Sequence, residues 1–211
     1  MSRKPNTLQT LVMILCNYFP LAHVVGCFCC LVFAPGLAWK LGSFLVCLYL
    51  LPPILTRIVF LVHPIRRTRM PMYSADHCVW WFTFCTQTLF LRLPFLEEAL
   101  RTVPALYSLW MRLWGSKIGK LVYWTPGTTV LDRSFLRLGN HVSFGIGAVL
   151  GTHIHVGDEF IIAPISLEDG VTVGARAMIG PGVTVKAGEA TKTLFLATPF
   201  SVWKDGRRIE K

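Results

Sequence analysis

The sequence predicts an α + β chain: apolar helices that cross or lie on a membrane, followed by a parallel β-helix. Three observations predict it. The chain is 53% hydrophobic and only 15% charged, whereas ordinary soluble domains are about 25% charged. The apolar excess is concentrated in residues 8–63, which hold almost no charge. From residue 118 onward the chain repeats every six residues, a period that neither an amphipathic helix nor a hairpin meander produces. The expected division is a transmembrane helical hairpin over 1–70, interfacial amphipathic helices over 71–116 and the β-helix over 117–211.

The first apolar segment runs from Thr7 to Pro35 and the second from Leu41 to Val62. Each exceeds or matches the ~20 residues that span a bilayer core. Asn17, Pro20 and His23 interrupt the first, so a kinked span and a re-entrant hairpin are both open. Pro52 and Pro53 must kink the second, because proline removes a donor and clashes with the preceding turn. Arg3 and Lys4 precede the first segment, Arg66, Arg67 and Arg69 follow the second, and only Lys40 lies between them. The positive-inside rule then puts both ends of the hairpin in the cytoplasm. The formal net charge of +10 is compatible with nucleic acid, an anionic membrane or an anionic cofactor. No nucleic-acid motif is present, and the arginines just after the second segment favour lipid head groups.

All seven cysteines fall before residue 86. Most fall within apolar runs, Cys27 and Cys30 included, so they read as small hydrophobes, and no metal is expected. A reducing compartment suits unpaired thiols. Residues 72–116 are rich in Trp, Phe and Leu, with Arg92, Glu97, Glu98, Arg101 and Arg112 interspersed. Trp80, Trp81, Trp110 and Trp114 are residues that settle at a membrane boundary, so helices lying in the interface are expected.

The six-residue blocks begin at Ile118, Trp124 and Val130. After a two-residue slip they continue at Leu138, Phe144, Leu150 and Val156, and after a second irregularity at Leu167, Val173, Ile179 and Val185. The first position is apolar in every block, and the second is Gly in seven of the eleven. The fifth is small or branched at Val122, Val142, Ala148, Val171, Ala177 and Val183. Hexapeptide repeats of this kind form a parallel β-helix. The first side chain fills the interior, with about 1.5–3 kcal/mol from each buried Val, Leu or Ile, and the fifth packs beside it.

LGNHVSFGIGAVLG and LEDGVTVGARAMIGPGVTV resemble the hexapeptide-repeat acyltransferases, over residues 118–211. The resemblance implies a left-handed β-helix with three blocks per coil. It also implies a homotrimer with sites between subunits, and acyl-CoA (acetyl-CoA) or an acyl carrier protein as donor. FLATPFSVWKDGRRI, with its turn Ala197-Thr198-Pro199, is similar to the extension that closes such domains. By position, the donor would contact Gly174, Ala175 and Ala177, with Lys186 and Lys192 the nearest cations to its phosphates. The family and the hairpin together imply a bacterial inner-membrane protein with its β-helix in the cytoplasm.

The repeat loses register between Val156 and Leu167, where eleven residues stand in place of twelve, so VGDEFIIAPIS reads as a loop pushed out of the coil. In the galactoside-, maltose- and colanic-acid-type O-acetyltransferases such a loop follows a block ending in the catalytic histidine. On LGTHIH the pattern sets threonine at Thr152 and histidine at His155, with His153 the second candidate. A hydroxyl attacking a thioester must lose its proton, and imidazole titrates near neutral pH, where it can take that proton and return it to the thiol. Asp158, Glu159 and Asp132 are the carboxylates that could orient the ring, and a backbone N–H could stabilise the oxyanion. His141 reads as a turn residue. The expected function is acyl transfer, acetyl above all, to a hydroxyl of a membrane-associated or sugar acceptor, with transfer to an amine also open. The rival is a non-catalytic trimeric β-helix scaffold at the membrane.

Overall fold

The computed structural model describes residues 5–65 and 68–209. Arg3, Lys4, Arg66 and Arg67, which carry most of the positive-inside argument, lie outside the described residues; Arg69 is exposed. The chain divides into two units, Met1–Leu89 and Phe90–Lys211.

The first unit is built on two apolar helical runs of 27 residues, Thr7–Phe33 and Gly36–Val62, each long and apolar enough to cross a membrane. The first comprises α1 (Thr7–Asn17) and α2 (Phe19–Phe33), with Pro20 in the opening turn of α2, where its missing N–H costs nothing. The second comprises α3 (Gly36–Leu45), a π-helical turn over Val46–Leu50 and α4 (Leu51–Val62). It starts five residues before the segment expected from hydropathy. The π turn comes just before Pro52-Pro53, where two missing donors loosen the helical ladder.

Three polar residues inside these runs are bonded to other helices. Asn17 Oδ1 accepts from Trp81 Nε1 at 3.0 Å. Thr56 and Thr86 share a hydroxyl hydrogen bond at 2.9 Å, and His23 Nε2 lies 2.9 Å from the Cys47 carbonyl. Trp81 and Thr86 belong to α5 (Ala75–Arg92), which follows a short strand, β1 (Arg69–Pro71). Trp80 is buried, and Trp81 is held by Asn17 rather than left as a free boundary residue.

The second unit opens with α6 (Phe95–Arg101) and α7 (Leu106–Leu113). The strands follow: β2 (Lys117–Ile118), β3 (Thr129–Val130), β4 (Leu136–Leu138), β5 (Ser143–Phe144) and β6 (Val149–Leu150). Then come β7 (His153–Val156), β8 (Glu159–Ile162), β9 (Ile165–Leu167), β10 (Thr172–Val173), β11 (Met178–Ile179) and β12 (Thr184–Val185). The last are β13 (Leu196–Ala197), β14 (Val202–Lys204) and β15 (Arg207–Ile209).

Three parallel sheets are visited in rotation. The first is β2-β4-β9-β12-β14, the second β5-β10, extended by bridges at Tyr123 and Ala190, and the third β3-β6-β11-β13. The chain therefore winds as a coil, each block adding one strand and one corner. Backbone with positive φ recurs six residues apart at the corners, at Leu121 and Gly127, His141 and Gly147, then Gly170, Arg176, Gly182, Gly188, Leu194 and Phe200. Val142, Ala148, Val171, Ala177 and Val183 are fully buried beside Phe144, Leu150, Val173, Ile179 and Val185. Trp124 stacks on Phe144 in the next coil at 4.7 Å. At the far end β15 folds back antiparallel on β14 and covers the last edge of the first sheet.

The coils differ in length where it matters. Lys117 pairs with Arg137 and Thr129 with Val149, a coil of 20 residues. Leu136 pairs with Ile165 and Val149 with Met178, a coil of 29. Ser166 pairs with Thr184 and Met178 with Leu196, a regular coil of 18. The first excess is the turn around Asp132–Phe135. The second is the antiparallel hairpin β7–β8. The block expected at Val156 is therefore no block: Val156 is exposed near the hairpin tip, and the chain leaves the coil at His153.

Trp110 and Trp114, expected at a membrane boundary, are instead buried with Phe90 in the core of the second unit, in edge-on ring contacts at 4.8–6.3 Å. The charges beside them reach into the coil. Arg112 donates to the Ile118 and Gly119 carbonyls at 2.9 and 2.8 Å. Arg101 donates to Thr128 O at 2.7 Å, and Glu98 accepts from Gly127 N at 2.9 Å. The same amphipathic pattern that suits a membrane surface here caps the first coil.

Candidate active site

The two departures from the hexad meet at one corner. Val130 and Leu150 pair in parallel register on the third sheet, so Asp132 and Thr152, each two residues further on, occupy equivalent positions in adjacent coils. Thr152 Oγ1 donates to Asp132 Oδ2 at 2.5 Å, and His153 Nδ1 lies 2.6 Å from the same oxygen. A carboxylate only accepts, so Nδ1 carries the proton and Nε2 holds the lone pair of the neutral ring. Asp132 and Thr152 are buried, and the His153 side chain is 16% exposed.

The hairpin fixes the ring from the other side. Ala163 N donates to Thr152 O at 2.9 Å and closes the hairpin base. Phe160, fully buried, stacks on His153 with ring centroids 5.5 Å apart. His155, two residues along β7, is exposed and meets the same Phe160 edge-on at 5.0 Å. Asp158 and Glu159, the other candidate partners, are exposed at the hairpin tip.

Asp132 sits on a clamped turn. Phe135 N donates to Asp132 O at 3.3 Å. Ser116 Oγ donates to Arg133 O at 2.6 Å and accepts from Leu136 N at 3.0 Å, while Ser134 Oγ donates to Trp114 O at 2.8 Å. The Arg133 side chain is fully buried, pairs with Glu97, and lies near the rings of Phe90, Trp110 and Trp114. Burial pulls its guanidinium below the usual range, and a buried carboxylate against it favours the charged form. Glu97 also accepts from Tyr107 Oη at 2.5 Å and Arg101 at 3.0 Å. Burial pushes the Tyr107 phenol up, which keeps it a donor. None of the Glu97, Arg133 or Tyr107 contacts was legible as part of a site. Glu97 and Arg133 are 36 residues apart, and no local spacing joins them.

The residues expected to hold a donor lie elsewhere. Gly174 and Ala175 turn the corner between the second and third sheets, whereas His153 leaves the corner after the third. Gly174 N donates to Thr191 Oγ1 at 2.9 Å, and a Cβ on Gly174 would sit 2.2 Å from Lys192 O, so this glycine is required by coil stacking. Ala177 is enclosed in the interior, and its side chain meets no ligand outside the coil. Lys192 is exposed. Lys186 is tied to Glu168 at 2.7 Å. A cleft of about 1050 Å³ lies between the α6–α7 connection and the turns at Gly119–Trp124 and Asn140–His141. Neither Asp132 nor His153 lines it.

No family model and no curated protein matches the sequence. Among solved structures the chain is similar to a hexapeptide-repeat acetyltransferase of Vibrio cholerae, at 18% identity and TM-score 0.39, over 59% of this chain and 90% of that one. It is also similar to a galactoside acetyltransferase in complex with coenzyme A, at 17% identity and TM-score 0.35, over 57% and 79%. A maltose O-acetyltransferase of Clostridium difficile 630 follows at 14% identity and TM-score 0.27, over 57% and 84%. By structure, then, the chain is similar to hexapeptide-repeat acetyltransferases.

Proposed function

We propose that the chain is a membrane-anchored acyltransferase that moves an acyl group, acetyl foremost, from acyl-CoA to a hydroxyl, with His153 as general base. The observation that carries this reading is the Asp132–His153 contact at the register break. A ring whose Nδ1–H is fixed by a buried carboxylate offers Nε2 outward as a base of defined direction. Nε2 takes the proton of the acceptor hydroxyl as its oxygen bonds to the thioester carbon. It then returns the proton to the departing thiolate as the carbon–sulfur bond breaks. The sequence ranks His155 first; its exposure, with no carboxylate at its ring among the described residues, favours His153.

The donor follows from the hexapeptide-repeat resemblance, as do the left-handed winding and the homotrimer. Gly174 and Ala175 stand one corner away from His153; in the homotrimer that the resemblance implies, a donor held there would face the base of a neighbouring copy. Lys192 remains available to a phosphate, whereas Lys186 must first give up Glu168. The membrane reading is supported by the exposed apolar side chains of the two helical runs, among them Leu8, Leu15, Leu21, Phe28, Phe33 and Leu61. An apolar surface that extensive requires cover. An acceptor that is itself membrane-associated, such as a lipid-linked sugar, fits that placement.

The test is thiol release from acetyl-CoA by the full chain in detergent, with polar-lipid extract as acceptor. His153→Ala is expected to lower acceptor-dependent release by about 10²–10⁴-fold, and His155→Ala to stay within about threefold. Loss confined to His155→Ala would move the base. Failure of the wild type to bind CoA in a direct titration would sink the transferase reading in favour of the scaffold.

A further inference from the structure

The first unit holds a cluster that the transfer chemistry does not use. His23 and Cys27 lie one turn apart on α2, and Cys47 lies in the π-helical turn between α3 and α4. One ligand atom from each of the three lies within 4.8 Å of the others. His23 and Cys27 are 3% and 5% exposed. A Cβ on Gly26 would stand 3.5 Å from Cys47 Sγ, an ordinary packing distance, so that sulfur lies against α2.

His23 and Cys27 share the i,i+4 spacing of one helix turn, but the third ligand, Cys47, comes from the other helical run and no local spacing joins it to them. Three features go beyond the reading of these thiols as small hydrophobes. Imidazole nitrogen with two thiol sulfurs is the donor set preferred by zinc and similar borderline-soft divalent ions. The Cys47 carbonyl can only accept, so His23 Nε2 donates to it at 2.9 Å and Nδ1 becomes the lone-pair nitrogen. That is the backbone-anchored arrangement that orients a ligating histidine. Finally, the Cys47 segment is π-helical, a local unwinding frequent at functional sites.

We propose that His23, Cys27 and Cys47 form a binding site for a divalent borderline-soft metal ion of the zinc type. The ion displaces one proton from each of Cys27 and Cys47. Two thiolates and a neutral imidazole then balance its charge, as a low-dielectric helix interior requires. Metal–sulfur and metal–nitrogen bonds of about 2.3 and 2.0–2.1 Å need only a small closing of the side chains. Because ligands come from both helical runs, the ion staples the two arms of the hairpin together.

The experiment uses the full chain, purified in detergent under reducing conditions and loaded with Zn²⁺ or Co²⁺. After removal of loosely held ions, the wild type should retain about one ion per chain. The Co²⁺ form should show sulfur-to-metal charge-transfer absorption and the intense visible bands of a tetrahedral site. Cys27→Ser and Cys47→Ser should each lose most of the retained metal, whereas Cys29→Ser, on another face of the same helix, should keep it. Helical content by circular dichroism checks that each variant folds, and the wild-type spectrum requires no variant. Retention far below one ion per chain after loading, a cobalt spectrum without sulfur bands, or equal loss in Cys29→Ser would each overturn the site.

Discussion

Asp132 and His153 meet through one carboxylate oxygen, Oδ2, at 2.6 Å, although they belong to different coils and stand 21 residues apart in sequence. Thr152 occupies the same oxygen at 2.5 Å. The arrangement exists because the first coil carries two extra residues and the second eleven. A coil of unbroken hexads would bring neither a buried carboxylate nor a departing strand to this corner. The proposed base is thus a product of the two places where the repeat fails.

Asp132→Asn tests the orienting role without emptying the site. The amide oxygen can still accept from Thr152, so the fold should persist, with a melting temperature within a few degrees of wild type. The amide no longer stabilises the imidazolium and can leave the ring in the wrong tautomer. The expected result is a fall of about 10²–10⁴-fold in kcat with KM within a few-fold, the split of an interaction made chiefly in the transition state. Equal loss of kcat/KM through KM alone would reduce Asp132 to a structural role.

The coil itself was legible because its signal is repeated. An apolar first position and a small fifth position recur with every strand, and each is dictated by the same interior geometry. The hairpin was legible in part. The lost register over VGDEFIIAPIS marks a loop leaving the coil, but Val156-Gly157 copies the opening of a hexad, so the start is read three residues late, at Val156 rather than His153. Asp132 was one of three candidate carboxylates because partners across a coil carry no fixed spacing once its length changes. Trp110 and Trp114 misled for another reason. An amphipathic helix with tryptophan shows the same pattern whether it faces lipid or caps a β-coil, and only the polar contacts of Arg101, Arg112 and Glu98 with the first coil distinguish the two.

Gly174 and Gly188 should respond oppositely to substitution. An added Cβ at Gly174 meets the Lys192 carbonyl at 2.2 Å, a backbone atom of the next coil that has no rotamer to change. Gly174→Ala should therefore cost at least the ~3 kcal/mol upper end of overpacking. Gly188 has φ +73° and nothing within 4 Å of a built Cβ. Gly188→Asn should be nearly neutral, because asparagine tolerates the left-handed region. Urea titration of the two variants checks both; a tolerated Gly174→Ala would mean that the coils can part at that corner.

Glu168 offers a pH test away from the proposed base. The hydrogen bond from Lys186 holds its carboxyl below the usual range. Its contribution is therefore fully present above the unfolded value near 4.3 and is lost as pH falls through the lower folded value. Both partners are about 40% exposed, so the solvent-screened pair contributes only about 0.2–1 kcal/mol. Denaturant titrations of Glu168→Gln should match the wild type closely below pH 3 and fall behind it by that amount above pH 5. A variant that lagged most at low pH would reverse the sign and refute the assignment.

The buried Glu97–Arg133 pair should behave as a clamp on the turn that carries Asp132. Arg133 is fully buried against Phe90, Trp110 and Trp114, and its own carbonyl is held by Ser116. Arg133→Met removes the cation but leaves Glu97 buried beside Tyr107 and Arg101. Breaking such a pair from one side costs at most about 3–5 kcal/mol, here less because Glu97 keeps Arg101 as a cationic partner. Glu97→Gln combined with Arg133→Met removes both charges and should recover part of that loss. In the double-mutant cycle, measured by denaturant unfolding, the coupling should exceed 1 kcal/mol in order of magnitude, as for contacting residues in one network. In Arg133→Met the loss should extend to function, since a loosened turn lets Asp132 drift from His153. Thiol release would then fall while CoA binding, proposed at a different corner, stays unchanged. Additive losses in the cycle, or a variant that keeps full activity, would mean that the Ser116 and Ser134 contacts hold the turn unaided.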